Sequence, residues 1–168
     1  MKVEAKSSKI RVGWREWLSL PDLGIHAIKA KIDTGARTSA LHAFYLEPYR
    51  RTGVLRLRFG IHPLQRRKDI EVYCDAEVVD HRTVSDSGGH REQRYVIRTP
   101  VRVGENSWEI ELTLTNRDSM LFRMLLGRSA MRGKILVNPQ TSYRMGRFKT
   151  SQVVRLYRGT GQQRKGSS

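Results

Sequence analysis

One short stretch places the tightest limit on the fold of this chain, because an alternating segment ends there in an acidic residue and a turn. Ile28, Ala30 and Ile32 are apolar at every second position with lysines between them, a pattern typical of a half-buried β-strand. Asp33 follows directly, and Thr34-Gly35-Ala36 predicts a tight turn of small residues. The Asp33 carboxylate is therefore expected on a stiff, crowded loop at the end of a strand.

A second block supports a specific interpretation of this loop. The motif Asp33-Thr34-Gly35-Ala36 after an apolar strand resembles the active-site loop of aspartic peptidases of the retropepsin type. In that fold an apolar-apolar-Gly strand, followed by a short helix, passes beside the Asp loop. Leu125-Leu126-Gly127-Arg128 has this form, and residues 129–132 can start the helix. The resemblance implies that Asp33 and Gly127 are adjacent, and the alternative is a simple strand-ending turn.

Together with Leu114-Thr115-Asn116-Arg117, these blocks resemble a bacterial family labelled "ATP-dependent zinc protease", whose members look like retropepsins. The resemblance runs from about Gly13 to about Asn138. The chemistry in that label has no counterpart here, since the sequence has neither a His-Glu-x-x-His motif nor a Gly-x-x-x-x-Gly-Lys-Ser/Thr phosphate loop. Members are often encoded beside ATP-grasp ligases, to which the ATP in the label can refer. The five histidines match no zinc spacing, so we expect no metal and no cofactor, with a metallopeptidase as an alternative.

Most of the remaining chain has the pattern of strands. Period-two alternation recurs and helical periodicity is found only at 129–132, which predicts an all-β fold: a closed, retropepsin-like barrel with one short helix after Gly127. Strands are expected at 10–14, 54–59, 70–79, 93–103, 108–114 and 153–157, with a hairpin turn at Pro21-Asp22-Leu23-Gly24. The expected limits are a disordered N-terminus at 1–9, a retropepsin-like domain at 10–140 and a basic, partly disordered extension at 141–168.

The resemblance also implies a mechanism that needs two chains. Peptide hydrolysis by carboxylates uses a pair that shares a proton, one acting as base on water and the other as acid toward the carbonyl oxygen. The chain has one Asp-Thr-Gly in the right context, so the second Asp33 would come from the other subunit of a homodimer. Asp33, Thr34 and Gly35 are then the catalytic loop, and Ala36 and Arg37 are candidate substrate contacts.

A second tripeptide of similar form, Asp86-Ser87-Gly88, does not follow an apolar strand and is interpreted as the tip of a hairpin. In a retropepsin, the hairpin between the Asp loop and the final helix is the flap that closes over substrate. Ser87, Gly88 and Gly89 are therefore candidate substrate contacts, with the glycines giving hinge freedom. An ordinary flexible loop is the alternative.

The charge of the chain indicates acidic partners. A formal net charge of +16 and a pI near 10.8 favour an acidic peptide or protein substrate, or nucleic acid. Several arginines stand singly in predicted strands and are interpreted as solvated faces: Arg56, Arg58, Arg94, Arg98 and Arg102. The alternative to a peptidase is a catalytically silent, basic dimeric module that binds an acidic peptide or nucleic acid.

Cysteine usage and hydropathy bear on the compartment. The single cysteine, Cys74, lies in a strand pattern and is expected in the core of a protein from a reducing cytoplasm. No apolar run approaches the roughly 20 residues that span a bilayer, and the N-terminus lacks the apolar centre of a signal peptide. We therefore expect a soluble, cytoplasmic protein that does not bind membranes.

Overall fold

The computed structural model describes residues 8–86, 88–117 and 120–159. Its strands are β1 Ile10–Val12, β2 Arg15–Leu20, β3 Ile25–Ile32, β4 Ser39–His42, β5 Tyr45–Arg51, β6 Val54–Ile61, β7 Val72–Glu77, β8 Asp80–Ser85, β9 Arg91–Val103, β10 Asn106–Thr115, β11 Met124–Leu126 and β12 Ile135–Val137. Two helices, α1 Arg128–Met131 and α2 Thr150–Gly159, and a short 3-10 turn at Pro21–Leu23 complete these elements.

Six strands close into a barrel. The order β10-β4-β11-β3-β2-β9 returns to β10 because β9 also pairs with β10, so the sheet has no free edge along this ring. The short strand β11 lies between β3, to which it is parallel, and β4, to which it is antiparallel. The predicted all-β closed barrel is therefore confirmed, with α1 directly after Gly127 as expected.

Smaller sheets flank the barrel. β8 pairs with the N-terminal half of the long strand β9 and forms a hairpin that extends beyond the ring. Strands β5, β6 and β7 form a separate antiparallel sheet. Its inward side chains, among them Leu57 and Phe59, are fully buried and belong to the same apolar core as the barrel residues Ile28 and Leu112. One continuous core thus holds the three-stranded sheet and the barrel together.

The prediction of a strand at 153–157 is wrong, because this segment lies in helix α2. Val153 and Tyr157 are four residues apart, which places both on one helical face, and both are buried. The Tyr157 hydroxyl donates to the Ala27 carbonyl at 2.5 Å and accepts from the Ala27 N–H at 3.1 Å. The helix therefore packs on β3 and hydrogen-bonds to the backbone of Ala27 in that strand.

No helix in the described ranges is long and apolar enough to cross a bilayer.

The single strand predicted at 10–14 is divided in two. Residues Ile10–Val12 pair in parallel with β12, whereas the next segment, Arg15–Leu20, forms the hairpin with β3. Gly13 lies at the division, and a Cβ there would stand 2.1 Å from the Thr141 carbonyl oxygen. The close approach of the 141 segment thus requires glycine and interrupts the strand.

Cys74 lies in the core, as predicted. Its thiol donates to the Leu23 carbonyl at 3.3 Å, and burial raises the pKa of the thiol to about 12. A thiol with such a pKa is almost entirely protonated at neutral pH and is a poor nucleophile.

Candidate active site

Asp33 directly follows β3, where the chain turns out of the barrel wall. Its backbone N–H donates to the Leu126 carbonyl at 2.8 Å, which continues the pairing of β3 with β11 by one residue. The Gly35 N–H donates to Asp33 Oδ1 at 3.0 Å, and the Ala36 N–H donates to the Asp33 carbonyl at 3.3 Å. The half-buried carboxylate is thus oriented by the backbone of its own turn.

The segment that begins α1 clamps this loop from the other side. The backbone N–H groups of Arg128 and Ser129 donate to the carbonyls of Ala36 and Arg37 at 2.8 and 2.9 Å. The Arg128 guanidinium also donates to the Thr34 carbonyl at 2.9 Å. These bonds confirm the predicted proximity of the Asp33 loop to the segment that follows Leu126.

Gly127 permits the close passage of the two backbones. A Cβ at this position would lie 2.6 Å from the Thr38 carbonyl carbon and 2.9 Å from the Ser39 nitrogen. The Gly127 N–H also donates to Ser39 Oγ at 3.0 Å. Any side chain here would push on backbone atoms of the Asp33 loop, which cannot move aside as a flexible side chain can.

We therefore expect Gly127→Ala to lower the free energy of unfolding by about 2–3 kcal/mol, the range typical of overpacked sites. The matched control is Gly159→Ala, since a Cβ at Gly159 meets nothing within 4 Å in the described ranges. This control should change stability by less than about 0.5 kcal/mol. Urea unfolding of both variants measures the difference, and equal stabilities would show that the close passage is not required.

A cleft of about 910 Å³ opens in front of Asp33. Asp33, Gly35, Ala36 and Arg37 line it, whereas Thr34 is exposed and does not, and the catalytic and substrate-binding roles of these residues stay predictions. The facing wall includes residues 82–86 of the β8–β9 hairpin. Further lining residues lie on or next to the barrel strands, before β11 and at the start of α1: Thr38, Ala40, Arg94, Glu111, Thr115, Arg117, Met120, Leu125 and Arg128.

None of the three predicted flap contacts, Ser87, Gly88 and Gly89, is among the described residues that line the cleft. Gly88 and Gly89 are at the tip of the hairpin and do not line the cleft, and Ser87 lies outside the described residues. The cleft wall comes instead from the strand β8 and from Asp86. A role of the two glycines in substrate contact stays a prediction.

Asp86 ties the hairpin tip to the barrel. Its carboxylate accepts from the Arg117 guanidinium, in the segment after β10, and from the N–H groups of Gly88 and His90, each at 2.9 Å. The hydrogen bond from Arg117, followed by that from His90, lowers the pKa of Asp86 to about 2. The tip is therefore held by a charge-assisted contact as well as by strand pairing.

We expect Asp86→Asn to loosen the tip, because the amide keeps an acceptor oxygen but loses the charge that binds Arg117. Amide hydrogen exchange over residues 85–91 should become about fivefold faster, as for the loss of one exposed ion pair. Asp80→Asn, in the same hairpin but paired with Arg82, is the control and should leave the tip unchanged.

The same contact has a defined pH dependence. Since the pKa of Asp86 is lowered from its usual 3.8 to about 2, the contact stabilises the tip fully above about pH 4 and is lost as the pH falls through about 2. An NMR titration of the carboxyl should have its midpoint near 2. A midpoint near 3.8, with unchanged exchange in Asp86→Asn, would contradict the assignment.

Five arginines line the cleft, and they differ in whether a carboxylate neutralises them. Arg82, Arg94 and Arg117 pair with Glu111, Glu92 and Asp86. Arg37 and Arg128 have no carboxylate partner among the residues that the structure describes. Among the described residues, the cleft therefore presents two positive charges beside the Asp33 loop that no carboxylate compensates.

The cleft carboxylates show a similar contrast. Of the three, Asp86 and Glu111 pair with Arg117 and Arg82, with Glu111 at 3.1 Å from its arginine. Asp33 accepts only the backbone N–H of its own turn within the described ranges. It is thus the one described carboxylate of the cleft that no arginine holds.

Sequence reasoning missed the arginines of the hairpin. Arg82 and Arg94 lie directly opposite each other in the β8–β9 pairing, and His81 stacks on Tyr95 on the other face at 4.5 Å. Arg94 is only 7% exposed and donates to Thr113 Oγ1, so its interpretation as part of a solvated face is wrong. The alternation along both strands carried the signal, but only the pairing shows that both arginines face the cleft.

The closed barrel, the clamped Asp-Thr-Gly loop and the hairpin beside the cleft together define a retropepsin-like protein. Residues 11–147 match the model of a family described as RimB-like, "Retropepsin-like aspartic endopeptidase RimB". The chain belongs to this RimB-like family.

Relatives of the chain carry another name. The chain is 47% identical over 150 residues to a "Probable alpha-L-glutamate ligase" of Shewanella pealeana, and 48% identical over 149 residues to a protein of the same name from Parasynechococcus marenigrum. These matches cover 89% of the chain but 33% and 32% of the relatives, so the chain spans about one third of the curated proteins that it matches. Neither the family nor these relatives carry the zinc-protease label.

One solved structure is also similar. The Legionella pneumophila protein Lpg0085, described as of unknown function, aligns with a TM-score of 0.68 and 27% sequence identity. The alignment covers 82% of this chain and 99% of that one. Almost the whole of that chain thus has the fold seen here.

Proposed function

We propose that the protein is a retropepsin-type aspartic endopeptidase that acts as a homodimer and cleaves acidic, glutamate-rich peptides. The observation that carries the proposal is Asp33: a half-buried carboxylate on a clamped Asp-Thr-Gly loop, in a cleft, with no arginine partner among the described residues. A carboxylate without a bound cation is free to exchange protons with water and substrate.

The proposed reaction uses one Asp33 from each subunit. The ionised carboxylate takes a proton from water as the water oxygen attacks the peptide carbonyl, and the protonated partner donates a hydrogen bond, then the proton, to the carbonyl oxygen. The resulting tetrahedral intermediate loses its C–N bond as the amine nitrogen takes the proton that the first carboxylate had received from water, and one hydroxyl of the intermediate gives its proton to the other carboxylate, which restores the starting pair. Water is thereby added across the bond, giving one carboxyl and one amino terminus.

The need for a second chain follows from the other carboxylates of the cleft. Asp86 and Glu111 are both held by arginines, and the lowered pKa of Asp86 makes that residue a poor proton donor. A two-fold axis beside Asp33 would bring its own copy opposite. The exposed Thr34 hydroxyl, beside Asp33, is then placed to contact the partner's loop.

The acidic substrate is supported by charge and by the relatives. Arg37 and Arg128 are two cleft cations that no described carboxylate compensates, which suits substrate carboxylates beside the scissile bond. The relatives that contain a matching segment carry the name "Probable alpha-L-glutamate ligase". A domain that cleaves glutamate-rich chains would act on the product of such a ligase.

We expect a decaglutamate peptide to be cleaved with a kcat/KM at least tenfold above that of a decaglutamine peptide of the same length and shape. The preference should fall as salt is raised, because screening weakens exposed charge contacts. Mass spectrometry of the products at several salt concentrations measures both effects.

Arg37→Gln should remove most of this preference, since Arg37 lines the cleft and has no carboxylate partner in the described part of the chain. Arg132→Gln removes the same charge from an exposed residue outside the cleft and should leave the preference intact. Equal cleavage of both peptides by the wild type would contradict the acidic substrate. Loss of cleavage on addition of a chelator would indicate a metallopeptidase instead.

A further inference from the structure

A cluster of cations surrounds Tyr143, outside the cleft. The guanidinium carbons of Arg15 and Arg147 each lie 4.9 Å from the centroid of the Tyr143 ring, and the Lys29 ammonium lies 5.6 Å from it. Arg15 also stacks on Trp14, at 4.5 Å. We call Arg15, Lys29, Tyr143 and Arg147 the Tyr143 cluster. None of these residues lines the cleft.

Within the part of the chain that the structure describes, the cluster has no counterion. None of its three cations pairs with a carboxylate in the described ranges, and the nearest acidic residue along the chain, Glu16, is fully buried. The Glu16 carboxylate accepts the backbone N–H groups of Gly13, Arg144 and Met145 at 2.7 to 2.9 Å. Its oxygens are thus used to fix the chain next to Tyr143, which holds the ring under the cations.

The surrounding sequence adds positive charge and no negative charge. After Asp118 the chain contains eleven arginines and lysines and no aspartate or glutamate. Arg144 and Lys149, next to the cluster along the chain, are exposed. Like charges gathered without counterions repel one another, and an anionic partner relieves that cost.

The geometry favours a rigid array of phosphates over stacked bases or a flexible acidic peptide. The Tyr143 ring is already occupied by cations, so it offers no face to a base. Guanidinium groups that stack on aromatic rings keep their N–H edges free and lose little freedom when they bind an oxyanion. A duplex presents one phosphate charge per roughly 1.7 Å of its axis, which matches several fixed cations at once.

We propose that the Tyr143 cluster is a docking surface for the phosphate backbone of a nucleic-acid duplex. Contacts to phosphates carry no base sequence, so binding is expected to be sequence-independent and strongly salt-dependent. Because the cluster lies outside the cleft, peptide cleavage proceeds independently of this surface.

The test uses fluorescence anisotropy with a labelled 20-base-pair RNA duplex at salt concentrations from 50 to 200 mM. The variant Lys29→Gln/Arg147→Gln should bind at least tenfold more weakly at the lowest salt, with a salt slope smaller by about 1.8, the value for two phosphate contacts. Arg147→Lys keeps the charge and should keep most of the binding, which separates loss of charge from loss of packing.

The control variant Arg51→Gln/Arg132→Gln removes the same charge from two exposed residues that have no ion pair in the described part of the chain. Equal weakening by both double variants, or no duplex binding by the wild type at 50 mM salt, would overturn the proposal. It would also be overturned if decaglutamate, and not the duplex, lost binding in Lys29→Gln/Arg147→Gln. Peptide cleavage by that variant should equal the wild type, so the outcome does not depend on the proposed peptidase function.

Discussion

An Asp33→Asn variant is expected to cleave decaglutamate at least about 10³-fold more slowly than the wild type while still binding the peptide. The amide has nearly the shape of the carboxyl group but can neither accept a proton from water nor donate one to the carbonyl oxygen. General acid–base catalysis commonly contributes 10²- to 10⁴-fold, and in a homodimer the substitution removes both members of the pair. Cleavage rates measured at saturating and at low peptide concentration give the loss of activity. A separate measurement of peptide affinity shows whether binding is kept.

Asp86→Asn is the matched control, because it makes the same chemical change in the chain's other tripeptide of this form, within the same cleft. Since Arg117 holds Asp86, this variant should keep its activity within about tenfold and lose mainly the order of the hairpin tip. Full activity in Asp33→Asn would assign the chemistry to other residues. Loss of both activity and peptide binding would point instead to a structural role for the carboxylate.

The position of Asp33 follows from its local sequence. The alternation before it can form only a strand with one buried face, and the small residues after it allow the backbone to approach Gly127. The strand and the turn are short-range features that the residues themselves predict, whereas the proximity of the Leu126-Gly127 segment, distant along the chain, was implied by the resemblance to retropepsins.

The residues that line the cleft are brought together by contacts between segments that are farther apart in the sequence. Arg82 and Arg94 meet because β8 and β9 pair in one register, and Arg117 reaches Asp86 only once the hairpin folds beside the segment after β10. A sequence pattern reports which side of a strand a residue occupies, but not what that side faces. Arg94 was therefore interpreted as part of a solvated face, and Arg82 and Arg117 were not identified as cleft residues.

Helix α2 was missed because its pattern fits two periodicities. Positions 153, 155 and 157 would share one face of a strand, whereas Val153 and Tyr157, four residues apart, share one face of a helix. A tertiary contact favours the helix over the strand: the Tyr157 hydroxyl hydrogen-bonds to the backbone of Ala27 from a helix that packs on β3. The β-branched pair Val153-Val154 favoured the wrong choice.

A second large effect is expected on dilution, because each chain supplies one Asp33 to the proposed site. If the active species is a dimer, the cleavage rate per chain should fall toward zero as the concentration drops below the dimer dissociation constant. Sedimentation at the same concentrations should show the mass falling from dimer to monomer over the same range. A rate per chain that stays constant while the protein is monomeric would exclude a shared active site.

The most direct test of the shared site is subunit mixing. Wild type and Asp33→Asn are mixed in known ratios, allowed to exchange subunits, and assayed on decaglutamate at a concentration at which all chains are dimeric. Random pairing leaves active dimers in proportion to the square of the wild-type fraction, so an equal mixture should keep roughly one quarter of the activity of the same total concentration of wild type. Roughly one half, falling linearly with the wild-type fraction, would mean that each chain works alone and would contradict the account.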